Sequence, residues 1–149
     1  MNKEMIEAAP ELKVIARAGV GVGNIDVEYA TERGILVINT PGKNTNSAAE
    51  LTMGLLLSAF RKIVPAHQSM QSLNWERHRF NGGELMNKCL GIIGLGNVGH
   101  RVARYAKAFD MKVQAFDPYL ADEVFERHGV QKVDWITLLN TSDVITFHV

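Results

Sequence analysis

The sequence predicts an α/β protein built on parallel strands, and three observations carry that reading. Short apolar runs alternate with segments of helical periodicity, the pattern of strands joined by helical crossovers. The run Gly94-Leu95-Gly96-Asn97-Val98-Gly99 sits between one such apolar run and one such helix. A carboxylate, Asp117, closes the next apolar run, eighteen residues after Gly99.

Val14-Ile15-Ala16 reads as a buried strand leading into the glycine-rich Gly19-Val20-Gly21-Val22-Gly23. A helix follows, with Asp26 as its N-cap and Gly34 as its stop, and Ile35-Leu36-Val37-Ile38 is the next strand. Pro41-Gly42 turns the chain out of this first βαβ unit. Ser47-Ala48-Ala49-Glu50 has the spacing of a capping box, in which the serine accepts from the backbone and the glutamate reaches back. The stretch from there to Phe60 is apolar on nearly every face, which predicts a helix buried on several sides, suited to a seam between domains. Residues 73–88 are polar, with Asn81-Gly82-Gly83 a loop.

A second series starts with the strand Leu90-Gly91-Ile92-Ile93. Its helix repeats apolar residues at Val98, Val102, Ala106 and Phe109, spacings of four and three, while His100, Arg101, Arg104 and Lys107 read as the solvated face. Residues 111–116 form the next strand, and a helix over 121–128 ends at Gly129. A short strand at 130–133, a helix at 135–139 and a strand at 144–149 complete the pattern.

Sixteen basic and sixteen acidic side chains cancel, so nothing in the charge balance asks for nucleic acid or a membrane surface. The single cysteine, Cys89, excludes an intrachain disulfide and fits a reducing compartment. The amino terminus is polar, and the most apolar run, 53–60, is far shorter than the ~20 residues that span a bilayer, so a cytoplasmic protein is expected. None of the five histidines stands at ligand spacing with another His, Cys or carboxylate, so no metal site is expected. No Ser-His or Cys-His pattern suggests a nucleophile, and His148 reads as structural or cofactor-lining rather than catalytic.

The chemistry concentrates in the second glycine run. Gly94 would allow the tight turn, Gly96 a close backbone approach to a pyrophosphate, and Gly99 close packing of helix on strand. The helix start then offers N–H groups and a positive dipole end to phosphates. Asp117 is placed to take ribose hydroxyls and to repel the extra phosphate of NADP, which favours NAD. The first run is not a second fingerprint, because Asn24 stands where the third glycine belongs. Its amides still suit a small anion such as a carboxylate.

With these residues in view, the chain resembles the D-isomer-specific 2-hydroxyacid dehydrogenase family. Leu90 through Gly99, continued to Val113 and Phe116-Asp117, fits that family's NAD-binding signature. Supporting stretches are Arg17-Ala18-Gly19-Val20-Gly21-Val22, Asn39-Thr40-Pro41, Ser47-Ala48-Ala49-Glu50-Leu51-Thr52 and Trp75-Glu76-Arg77. The resemblance implies a Rossmann-like NAD-binding domain, begun over residues 41–149, and the tail of a flavodoxin-like substrate domain over residues 1–40. It implies that Gly94, Gly96 and Gly99 belong to the cofactor-binding loop, that Asn97 and Val98 meet the pyrophosphate, Asp117 the adenosine ribose, Val20 the nicotinamide side and Val149 the dinucleotide. Arg17, Val20, Gly21 and Asn44 match substrate-side positions. The segment around Arg77 resembles a dimer-interface arm, so a homodimer is expected of the full-length protein.

The family's catalytic arginine, glutamate and histidine are expected beyond Val149, and the chain alone is expected not to turn over a 2-hydroxyacid or 2-oxoacid. The alternative is a non-catalytic NAD-responsive binding protein, like the family's corepressor relatives. Two departures stand out: Gly23 where the family commonly has Asp, and Asp110 in place of a glycine after the cofactor helix.

Overall fold

A computed structural model describes residues 1–149, which form two compact units, Met1–Asn44 and Thr45–Val149. In the first, helix α1 (Lys3–Glu7) is capped by Asn2, whose side chain accepts from the Met5 amide at 3.1 Å. The sequence reading saw only a polar terminus here, yet Ile6 is buried and joins Ala30 and Ile35 in a small core. Strands β1 (Val14–Ala16) and β2 (Leu36–Ile38) pair in parallel, linked by α2 (Val27–Glu32). Asp26 caps α2 as expected, accepting from the Tyr29 amide at 3.0 Å, and Gly34 leaves the helix with φ 70°. The expectation that β1 is a buried strand fails. Val14 and Ala16 are exposed and only Ile15 is half-buried, because the small core covers one face of a two-stranded sheet.

The second unit opens with α3 (Thr45–Phe60). This helix begins two residues before Ser47, so the capping-box reading is corrected: Ser47 and Glu50 lie inside the helix. Multi-sided burial is also corrected. Thr45, Ala49, Met53 and Leu56 form one buried stripe at helical spacing, while Leu51 and Leu55 are each 63% exposed. Lys62 takes a left-handed conformation and starts α4 (Ile63–Gln71), a helix the sequence reading did not assign. A short 3-10 turn spans Arg77–Phe80.

Strands β3 (Cys89–Ile93), β4 (Lys112–Phe116), β5 (Gln131–Lys132) and β6 (Val144–Phe147) form one parallel sheet in the order β5-β4-β3-β6. Helices α5 (Gly99–Ala108), α6 (Asp122–His128) and α7 (Trp135–Thr141) supply the crossovers. This is the predicted α/β doubly wound arrangement, with β3 central and its residues from Leu90 to Ile93 buried. The stripe of α5 that packs inward is Val102, Ala103 and Ala106, whereas Phe109 is 41% exposed. Gly91 is required by packing: a Cβ there would lie 2.2 Å from Ser142 Oγ and 3.0 Å from the Leu138 side chain. Buried Gln114 is satisfied by donating from Nε2 to Thr141 Oγ1 at 2.8 Å and to Ser142 Oγ at 2.9 Å. No helix is long and apolar enough to cross a membrane.

Candidate cofactor-binding site

Ligands of open parallel sheets gather beyond the carboxyl ends of the strands. A hollow of about 440 Å³ opens there, among Gly94, Gly96, Phe116, Asp117, His148 and Val149. A larger hollow of about 520 Å³ lies between α3 and β6 and touches neither the glycine loop nor Asp117.

The three glycines of the loop have different physical reasons. Gly94 has φ 88°, and a Cβ on it would sit 2.6 Å from the His148 carbonyl oxygen. A Cβ on Gly99 would collide with the Gly94 carbonyl oxygen at 2.1 Å. At Gly96 a Cβ would meet nothing within 4 Å. The outer two therefore serve packing, and the middle one faces open space. No side chain caps the start of α5; the His100 and Arg101 amides donate to the Gly96 and Val98 carbonyls, and an uncapped helix start suits an incoming anion. Asn97 and Val98 occupy the turn into that helix.

Asp117 ties the loop to the end of β4. Its Oδ2 accepts from the Leu95 amide and its Oδ1 from the Tyr119 amide, both at 3.0 Å. An ionised carboxylate has roughly four acceptor positions, so capacity for hydroxyl donors remains. His148 anchors the far wall through its amide, which donates to Ile93 O at 2.8 Å, and its Nε2 lies 3.0 Å from Thr146 Oγ1. Burial lowers its pKa from the ordinary imidazole value, so the ring is neutral at pH 7. Phe116, beside Asp117 in the sequence signature, lines the hollow too, as do Pro118 and Tyr119, which the sequence reading gave no role there. Their positions beside Asp117 at the strand end were the available signal.

The positions expected from sequence to face a substrate stand in the first unit. Arg17 Nε donates to Gly21 O at 3.4 Å, Asn39 Nδ2 to Val20 O at 2.8 Å, and the Thr40 amide to Gly19 O at 3.0 Å. Arg17, Val20 and Gly21 thus share one braced loop, whereas exposed Asn44 lies outside that set of bonds. Arg77 begins the 3-10 turn, next to the Glu76–Arg79 ion pair at 3.0 Å. Cys89 is a poor nucleophile: burial, then Asp143, raises its thiol pKa.

Residues 53–149 match the NAD binding domain of the D-isomer specific 2-hydroxyacid dehydrogenases. The chain belongs to that family. It is 52% identical over its whole length to D-3-phosphoglycerate dehydrogenase of Archaeoglobus fulgidus, covering 28% of that relative. It is 47% identical to the hydroxypyruvate reductase of Thermotoga maritima, covering 48% of it. The D-lactate dehydrogenase of Aquifex aeolicus, solved with NAD and lactic acid, superposes with a TM-score of 0.87 at 33% identity, over the whole of this chain and 45% of that one. The chain spans well under two thirds of the relatives it matches. The two departures from the family pattern have local explanations. Asp110 adopts φ 55°, a left-handed geometry that Asp tolerates better than most residues. Gly23 has no crowding and no positive φ, so its position imposes no glycine.

Proposed function

We propose that the chain binds NAD in the hollow beyond β3, β4 and β6, as the cofactor part of an enzyme that oxidises 3-phospho-D-glycerate to 3-phosphohydroxypyruvate, the entry to serine synthesis. The observation that carries the cofactor reading is Gly96, whose Cβ direction is open, between two crowded glycines at an uncapped helix start. Gly94 and Gly99 shape the loop, and the amides from Gly96 to Gly99 receive the pyrophosphate. Asp117 accepts from the adenosine ribose, and Val149 and neutral His148 wall the dinucleotide. NAD held there would supply the hydride acceptor for the substrate's hydroxyl-bearing carbon. The braced loop of Arg17, Val20 and Gly21, together with Asn44, serves the substrate's carboxylate side. The phosphoglycerate assignment is supported by relatives of that name at 52% identity over the whole chain.

Calorimetric titration with NADH tests the cofactor reading. Gly96→Val fills the open space without a clash in the folded protein, and Asp117→Ala removes the ribose acceptor. Each is expected to weaken NADH by about tenfold or more, since a hydrogen bond to a charged group contributes roughly 1.5–3 kcal/mol. Equal affinity in all three proteins would overturn it. In the presence of NADH, Arg17→Gln is expected to weaken 3-phosphohydroxypyruvate, and unchanged affinity would remove Arg17 from the substrate side.

A further inference from the structure

The outward face of α5, read from sequence as merely solvated, is not flat. His100, Arg101, Arg104 and Lys107 converge with Arg127 and His128 of α6 around a concavity of about 420 Å³. Every side chain lining it is basic. No carboxylate neutralises the four fixed cations: all ion pairs of the chain lie elsewhere, at Lys3–Glu7, Glu76–Arg79, Lys88–Asp143 and Asp122–Lys132. Arg101 Nε is buried with no hydrogen-bond partner, a state that costs free energy unless something supplies an acceptor. The geometry is held from within. His100 and His128 stack with ring centroids 4.7 Å apart, and Lys107 Nζ donates to the His128 carbonyl at the end of α6. Arg104 lies over the Tyr105 ring at 5.2 Å.

We propose that this concavity is a second anion site, distinct from the dinucleotide hollow, which takes a small phosphorylated molecule carrying at least two negative charges. Clustered cations in a concave wall focus potential onto one point, and guanidinium forks match phosphate oxygens in pairs. The size is that of a small-molecule pocket. A nucleic-acid backbone fits poorly, because the chain has no net positive charge. Consistent with a site poised for an anion, His128 has a pKa lowered by burial and then by His100, Arg127 and Lys107. The site also touches the cofactor loop, since His100 Nδ1 donates to the Gly96 carbonyl at 2.7 Å.

Inorganic pyrophosphate is the probe, titrated by calorimetry and by NMR of the histidine ring protons. With the cofactor loop saturated by NADH, one equivalent is expected to bind to wild type and to shift both His100 and His128. Arg104 and Arg127 are exposed, so the double variant R104Q/R127Q keeps the fold. It should weaken pyrophosphate by about tenfold or more while leaving NADH within about twofold. Gly96→Val should do the reverse, which separates failure of this site from failure of the cofactor site. Unchanged pyrophosphate affinity in R104Q/R127Q, or a His128 signal that stays put, would overturn the proposal. Tighter binding to a short DNA duplex than to pyrophosphate at equal salt would overturn the small-ligand assignment.

Discussion

The two glycine-rich loops, 19–23 and 94–99, look alike in sequence: each follows a strand and precedes a helix. Their physics differs. In the second loop the outer glycines, Gly94 and Gly99, are demanded by backbone crowding, with Gly99 Cβ space already filled by the Gly94 carbonyl oxygen. In the first, Gly21 and Gly23 have nothing within 4 Å, and Gly19 faces only the Arg17 side chain at 3.4 Å. The first loop is braced by side chains of Arg17 and Asn39 instead. The helix starts differ as well. Asp26 occupies the donors at the start of α2 with a negative charge, whereas α5 is left without a side-chain cap. A glycine pattern alone does not make a phosphate cradle. The cradle needs packing that fixes the turn and a helix start left unblocked.

The sharpest way to break this contrast is Gly99→Ala against Gly21→Ala. The first is expected to cost about 3 kcal/mol or more in urea denaturation, because the collision is with backbone that cannot step aside. The second should stay within about 1 kcal/mol of wild type. Similar costs would erase the distinction. A smaller effect is expected at the helix start of the first loop: Asp26→Ala should cost about 1 kcal/mol and speed hydrogen exchange at the Tyr29 amide, with NADH binding unchanged. A loss of NADH affinity there would tie the two loops together. The smallest effect concerns pH. His148 has a lowered pKa in the folded state, so the unfolded chain binds its proton first. Stability is therefore fully present above the ordinary value of 6.5 and declines as pH falls through the lowered one. His148→Gln should flatten part of that decline and leave the part due to His128, which shifts in the same direction. An unchanged slope would count against a half-buried neutral ring at the cofactor wall.

Much of the architecture was legible because it rests on local signals. Asp26, Gly34 and Gly129 mark helix ends by chemistry that acts within one turn, and all three behave as read. The α5 stripe and the four sheet strands follow from periodicity. The misreadings share a cause. Ser47-Ala48-Ala49-Glu50 has the spacing of a cap, but the chain enters the helix earlier, at buried Thr45. Apolar content on every face of α3 did not say which face is covered, and Leu51 and Leu55 are exposed. At Lys62 a left-handed residue without glycine divides α3 from α4, and nothing in the sequence announced it.

By itself the sequence determined the strand and helix order, the glycine turn and the acid at the end of β4. Those features depend on residue spacing and backbone chemistry, which are properties of the chain. Only the tertiary structure decided which glycines are compulsory and that the Asp117 carboxylate clasps the Leu95 amide. It alone brought Arg127 and His128 against the basic face of α5. Apart from the Gly94–Gly99 contact within the turn itself, each of these is a distance between atoms far apart in sequence, set by how strands and helices pack rather than by any local pattern.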